Sequence, residues 1–406
     1  MLAAAAVLLP LSGPQAQQVS PAARALHERL LVLDSHLDTP MHLVRPGWDI
    51  LGRLSVADDL SQLDYPRMVD GGLDGGFWAI YIPQGSLTPE ATAQAFDTAL
   101  DRARLIHGLV EQHPDHFALA LKADDAARIK ARDRRVVYLS IENAQPLSGN
   151  PDQLETFHRL GVRMLGLVHF LNNDLADSST DPNGPQWRGL SEQGRQLVAE
   201  ANRLGIVLDA SHASDEVLDQ LIELSATPVI LSHSGPRAVY DHPRNVDDGR
   251  LKRLAASGGV VQINAFGSYL TALPETPERE AALAKLQQRF GQLTPENSTG
   301  FFAALREINA RHPQPQADFE DFIDHLLYAL KLLGPNHVGI GADWDGGGGT
   351  AGLEDVAALP RITERLLAEG YDEDDIAAIW SGNLLRVLRQ AEDHAAQTSV
   401  TSTGKP

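Results

Sequence analysis

The sequence predicts a closed (β/α)8 barrel of the TIM type. Three observations point to it. Eight short apolar runs read as strands, and most are separated by segments of helical periodicity. Six of the eight runs end in a metal-capable or titratable side chain, as expected where a parallel barrel gathers its functional groups at the C-terminal strand ends. No Gly-rich phosphate fingerprint follows the first strand, which counts against the doubly wound open sheet, the other fold with this alternation.

The elements follow in chain order. Residues 1–20 read as a signal segment and linker. "MLAAAAVLLPLSGPQAQQ" is an apolar stretch followed by small residues, which places a cleavage near Ala16 and a mature start near Gln17. Export to a periplasm is the expectation; the segment has no positive n-region, and a cytoplasmic location is the alternative. The expected strands are Leu30–His36, Gly76–Ile82, Arg135–Glu142, Gly161–His169, Gly205–His212, Thr227–His233, Gly258–Ala265 and His337–Asp343. "PEATAQAFDTALDRARLIHGLVEQ" carries apolar residues at helical spacing. "SEQGRQLVAEANRLG" is a second helix, with Ser191 placed to cap its start and Gly205 to follow its last turn. Residues 21–392 form the single barrel domain. A helical insert over about 266–322 follows the seventh strand as part of a lid. Residues 393–406 form a polar tail, expected to be disordered.

Composition narrows the chemistry. The 406 residues carry a net charge of −20 and no compensating basic stretch, which excludes a nucleic-acid partner. With 0 Cys, disulfides, thiolate nucleophiles and cysteine-ligated metals are excluded, so any metal must use His, Asp or Glu. No run after the first segment is long enough for a transmembrane helix.

The strand ends hold the chemistry. A lone His at a strand end is usually a satisfied structural residue, but six such ends on one rim are not explained that way. In "LVLDSHLDTP", His36 and Asp38 project from the same side and can reach one metal together. His212 and His233, from the fifth and sixth strands, form a second ligand pair. Glu142, from the third, can give one oxygen to each of two metals. Imidazole and carboxylate suit zinc, and five ligands suit a two-metal site with a shared hydroxide better than a mononuclear one.

These stretches resemble the membrane (renal) dipeptidase family of zinc peptidases, family M19, a branch of the amidohydrolase-like barrels. The resemblance lies in "DSHLDTP", "GFWAIYIP", "SIENAQPL", "GVRMLGLVHFLNNDLADSS", "GLSEQGRQLVAEANRLGIVLDASH", "PVILSHSGPRAVYDHPRN", "GVVQIN", "HVGIGADWDG" and "GNLLRVL", in family order from Leu31 to Leu388. "IEN" is similar to the bacterial members. The disulfides and lipid anchor of the animal members do not carry over to a chain without Cys or an apolar C-terminal tail.

The resemblance implies two zinc ions, with His36 and Asp38 on one, His212 and His233 on the other and Glu142 bridging them. It implies that His169 binds substrate beside the scissile carbonyl, that Arg244 holds a substrate carboxylate, and that Asp343 is the catalytic acid/base. Tyr269 resembles a tyrosine at the site mouth. The implied reaction is hydrolysis of dipeptides, L,L and also L,D, by the metal-bridged hydroxide. Asp343 carries the proton to the leaving amine, and a zinc and His169 steady the oxyanion. The implied partner is the dipeptide; a homodimer stays open. A barrel hydrolase of lactones or cyclic amides with the same metals is the alternative. A decayed metal-binding sensor is a further alternative, opposed by the intact ligand set. Among the neighbours, Asp34 is expected one layer deeper as a hydrogen-bonding support and His42 to aim elsewhere. Asp345 reads as a support or turn residue, His242 and Arg237 as solvated loop residues, and "LNNDLADSS" as a shaped loop.

Overall fold

Eight parallel strands pair in chain order in the computed structural model, which describes residues 19–403 apart from residue 292. They are β1 (Leu33–Leu37), β2 (Gly75–Tyr81), β3 (Arg135–Glu142), β4 (Val162–Gly166), β5 (Val207–Asp209), β6 (Ile230–Pro236), β7 (Val260–Ile263) and β8 (Val338–Ile340). The ring is closed just past β8 by a parallel bridge between Leu37 and Trp344, where Asp38 N–H donates to the Trp344 carbonyl at 2.8 Å. The result is the expected (β/α)8 barrel. The expected signal segment and its cleavage near Ala16 lie outside the described residues.

The strands are buried along almost their whole length, as parallel strands covered on both faces must be. On β3, Val137, Leu139 and Ile141 join the large cluster shared with the surrounding helices. Val136 and Tyr138 point the other way and pack with Ile230, Val260 and Leu388 of the last helix. Glu142 shares the face of Val136 and Tyr138, which directs its carboxylate into the barrel.

Three differences from the expected elements have physical causes. First, several strands stop short of the residues expected to end them. His169, His212 and Asp343 lie in the turns beyond β4, β5 and β8, not in the strands. His212 and Asp343 have left-handed backbones, with φ of 67° and 66°, which no strand can contain. Second, two extra strands were not legible. Phe117–Leu119 adds beside β3, and Asn245–Val246 beside the end of β6; runs of three and two residues carry no period. Third, the described part of the tail expected to be disordered is helical, because the last helix, Asn383–Thr403, continues into it. Ala391 is buried in the core and Ala395 lies against Gly205, while the Ser399 hydroxyl donates back to the Ala395 carbonyl.

After β7 come the helices Gly267–Leu270, Pro277–Phe290 and Pro295–Arg311. The next helix, Phe319–Leu333, begins inside the stretch expected as insert but packs on the barrel strands themselves. No helix among the described residues is long and apolar enough to cross a membrane.

Candidate metal centre

Five strand ends converge on Glu142. Its two oxygens face different partners. Oε2 lies 3.5 Å from His36 Nε2, which is itself 3.2 Å from Asp38 Oδ2. Oε1 lies 3.1 Å from His212 Nε2 and 3.5 Å from His233 Nε2. His169 Nε2 stands further off, 3.9 Å from the same oxygen. Asp343 joins His36 and Asp38 in a group whose ligand atoms lie within 4.8 Å of one another. The structure therefore brings His36, Asp38, Glu142, His212, His233, His169 and Asp343 into one cluster.

The surrounding polar groups fix how these side chains point. Asp209 Oδ1 accepts from Ser211 N–H and Ser232 N–H, both at 2.9 Å, and Oδ2 accepts from the Ser232 hydroxyl at 2.5 Å. The Ser232 hydroxyl has then used its proton, so at 2.8 Å it accepts from His233 Nδ1–H. That assigns the His233 proton to Nδ1 and leaves the Nε2 lone pair facing Glu142. Asp34 accepts from His36 N–H at 2.9 Å and Ala342 N–H at 3.0 Å, tying β1 to the end of β8. The register of β1 against β2 shifts between Asp34 and Leu37, so strand parity does not run unbroken there.

The electrostatics fit a cation-holding site. Burial raises the Asp343 pKa well above the ordinary carboxylate range, and the charges of Asp38 and Glu142 add to the rise. Asp38 is raised by burial as well. Burial disfavours charge on His36, yet Glu142 and Asp38 outweigh it and raise its pKa well above the usual value. Burial pulls His169 down to about 4 and holds His212 and His233 well below the ordinary histidine value. The imidazoles of His169, His212 and His233 are thus held neutral, the state metal binding requires, while His36 would give up its proton to a cation. Both ring nitrogens of His36 and Nδ1 of His212 are buried without a hydrogen-bond partner. Three imidazoles and clustered carboxylates are a nitrogen and oxygen donor set of the kind zinc takes.

A cavity of about 260 Å³ opens over the cluster, just below the roughly 300–1,000 Å³ range of drug-sized ligand sites. Asp38, Glu142, His169, His212, Tyr269 and Asp343 line it. The insert contributes Gln287, Gly291, Leu293 and Phe301 to the same wall. Arg244 is buried behind Tyr269 of the cavity wall; its Nη2 donates to the His233 carbonyl at 3.0 Å, and its guanidinium lies 5.3 Å from the Tyr269 ring centre. Arg244 Nε has no partner.

The neighbours divide differently from expectation in two places. Arg237 is only partly solvated: it makes a two-pronged pair with Asp215, both contacts at 2.8 Å. His242 is half-buried, accepts from Arg244 N–H at 3.1 Å and packs on Tyr269, so it positions both. The loop geometry there folds back on the site instead of outward. His42 is buried away from the cluster, 3.3 Å from Asp345 Oδ1. Asp345 accepts from Thr39 Oγ1 and Gln62 N–H, both at 2.6 Å, and so anchors the turn after Asp38. In "LNNDLADSS", Asp177 accepts three backbone N–H groups, from Gln186, Trp187 and Gly189, and Ser178 holds the His169 carbonyl at 2.6 Å. Sequence reasoning missed Asp209 and Ser232, and also Tyr81 and Arg102, which line the cavity. The first two stand in "LDASH" and "LSHS", beside the histidines they orient, and that adjacency was the available signal.

The chain matches the family model described as membrane dipeptidase (Peptidase family M19) over residues 21–402. Dipeptidase tcpJ of Claviceps purpurea is 31% identical over 371 residues, 89% of this chain and 77% of that one. Dipeptidase 3 of Mus musculus is 29% identical over 375 residues, 91% of this chain and 66% of that one. Among solved structures, the probable dipeptidase PvdM from Pseudomonas aeruginosa superposes with a TM-score of 0.78 at 31% identity, covering 92% of this chain and 98% of that one. A metallopeptidase from Rhodobacter sphaeroides, liganded with a phosphinate mimic of the dipeptide L-Ala-D-Ala, gives a TM-score of 0.70 at 27% identity, over 89% and 99% of the two chains.

Proposed function

The chain belongs to the membrane dipeptidase family, Peptidase family M19, and is a metallo-dipeptidase; from that premise we propose that His36, Asp38, Glu142, His212 and His233 hold two zinc ions. The observation that carries the count of two is the divided Glu142 carboxylate. One oxygen faces His36 and Asp38, the other His212 and His233. A carboxylate so divided suits a bridge between two cations and wastes one oxygen in a mononuclear site. The dipeptidase relatives favour peptide hydrolysis over the lactone or cyclic-amide alternative.

Two bound zinc ions would lower the pKa of an attacking water toward about 7 and polarise the scissile carbonyl. The chain's own residues do the rest. Asp343 has no zinc to hold in this reading; it takes a proton from the attacking water and delivers it to the leaving nitrogen. His169, across Glu142 from His36, donates toward the carbonyl oxygen as charge builds on it. Arg244 keeps Nε free for the terminal carboxylate, which its planar fork can hold at two points. Tyr269 packs beside that guanidinium and limits its movement. A carboxylate held there must lie one residue beyond the cut, which selects dipeptides.

The phosphinate complex of the Rhodobacter sphaeroides relative supports acceptance of a D-residue at the C-terminal position. The apolar, alanine-rich start of the chain supports export to a periplasm. The reading is tested by turnover of a dipeptide library with L,L and L,D members, alongside elemental analysis of the same protein. Cleavage with about two zinc per chain is expected; full activity with far less than one metal per chain would overturn it.

A further inference from the structure

Arg102 borders the cavity and belongs to no role assigned above. It comes from the helix Pro89–Gln112 that follows β2, and it is only 8% exposed. One guanidinium nitrogen, Nη1, donates to the Pro40 carbonyl at 2.6 Å. Among the described residues no carboxylate oxygen lies within 4.0 Å of it. Two other buried arginines are matched by carboxylates, Arg67 by Asp64 at 2.7 Å and Arg135 by Asp74 at 3.5 Å, whereas Arg279, away from the cavity, bonds three neutral groups instead of one. The hydrogen-bond partner of Arg102 is neutral, and the charge of Asp38 reaches it only from beyond 4.0 Å, so burial still disfavours the guanidinium and a further anion in the cavity would relieve it.

The barrel order says where that anion would come from. β2 is the second strand of the ring and β6 the sixth of eight, so they stand on opposite walls. Arg244 follows β6 and bonds its His233 carbonyl. A dipeptide with its terminal carboxylate on Arg244 therefore crosses the metal cluster and extends its N-terminal residue toward β2. Tyr81, Met41 and Pro83 border that side of the cavity with Arg102. They offer apolar contact to side-chain methylenes and leave the guanidinium as the polar end.

We propose that Arg102 reads a carboxylate on the side chain of the N-terminal residue, so that dipeptides beginning with glutamate or aspartate are the preferred substrates. This rests on the Arg244 reading above. The competing role for Arg102 is a brace on Pro40, two residues beyond Asp38, which would affect every substrate alike.

The discriminating experiment measures kcat/KM for Glu-Ala, Gln-Ala and their C-terminal amides with the full-length, zinc-loaded protein. The normal protein should favour Glu-Ala over its neutral isostere Gln-Ala by about tenfold or more. In Arg102→Met that ratio should collapse toward one. In Arg102→Lys it should fall part of the way, because an ammonium keeps the charge and loses the fork. A brace would instead lower both substrates together and leave the ratio unchanged, which overturns the proposal. If Arg102→Met does not fold, the ratio in the normal protein and in Arg102→Lys decides, and a ratio near one in the normal protein overturns it. A ratio near one with free acids still preferred over amides faults Arg102 alone; amides cleaved as fast as acids would bring down the Arg244 orientation as well.

Discussion

His212 and His233 hold their Nε2 atoms 2.9 Å apart, and both nitrogens face Glu142 Oε1. The Ser232 hydroxyl takes the His233 Nδ1 proton, so His233 Nε2 offers a lone pair to that space. Such an arrangement is poorly satisfied until a cation enters it. Chelation should therefore destabilise the fold as well as stop turnover. Zinc at a hundred times its dissociation constant contributes about 2.7 kcal/mol to stability, so the stripped protein should melt measurably lower and recover on zinc addition. Differential scanning calorimetry with and without chelator is the check. An unchanged melting curve after proven metal removal would contradict the reading of this cluster.

Arg244 should read the substrate carboxylate. Arg244→Ala should lower kcat/KM for free dipeptides by about 2–3 kcal/mol, mostly through KM, since one charge-assisted contact is lost. Dipeptide amides should be poor substrates of the normal protein and should hardly distinguish it from the variant. Equal cleavage of acid and amide by the normal protein would remove the basis for this role.

Gly346 should tolerate no side chain. A Cβ there would overlap both Asp343 Oδ1 and Asp38 Oδ2, so the glycine lets the backbone approach two site carboxylates at once. Gly346→Ala must push one or both aside. A displacement of about 1 Å at such a site costs on the order of 10²-fold in rate. Steady-state kinetics with elemental analysis would measure it, and near-normal kcat with normal metal content would show that the carboxylates have room to move.

A fourth expectation concerns acid stability away from the site. Trp380 Nε1–H donates to Thr363 Oγ1 at 2.8 Å, the Thr363 hydroxyl donates to His27 Nδ1 at 2.7 Å, and His27 Nε2–H donates to the Gly71 carbonyl at 2.8 Å. This relay requires a neutral ring, and burial lowers the His27 pKa from 6.5 to about 4. The unfolded chain thus binds the proton more readily, so stability falls as pH drops from about 6.5 and levels off near 4. The full loss is about 3 kcal/mol at most. Urea unfolding across that window should show a shallower decline for His27→Gln than for the normal protein. Parallel pH profiles would exclude His27 as a source of the acid sensitivity.

The sequence showed the barrel because its strands are short, apolar and regularly alternated with helices. It also showed the cluster, because His36, Asp38, Glu142, His212 and His233 each interrupt or follow an apolar run at a place where burial makes them conspicuous. What it hid was less periodic. Asp209 and Ser232 are small polar residues whose importance lies in one hydroxyl proton, and no spacing records that. Arg102 sits in a helix where an arginine ordinarily faces solvent; only the placement of that helix against Pro40 turns it inward. The helical tail was hidden because Ser and Thr are weak helix formers, and tertiary packing through Ala391 and against Gly205 overrides that weakness.

Asp343 gives the most direct test of mechanism. It lies in the cluster with His36 and Asp38, lines the cavity, and has a left-handed backbone with φ of 66°. Asparagine adopts that backbone conformation readily, so Asp343→Asn keeps the turn and removes only the proton acceptor. The Gly346 and Gly348 N–H groups that bond the Asp343 carbonyl are backbone contacts and survive the change. If the carboxylate is a proton carrier, kcat should fall by about 10²–10⁴, while zinc content, melting temperature and dipeptide KM stay close to normal. If it merely closes the strand, stability should fall and most turnover remain. Retention of more than about a tenth of normal kcat would lie well outside the range of general acid/base catalysis and would move the role to another group. His169 is the next candidate, since it shares the cavity and faces the same Glu142 carboxylate from the other side.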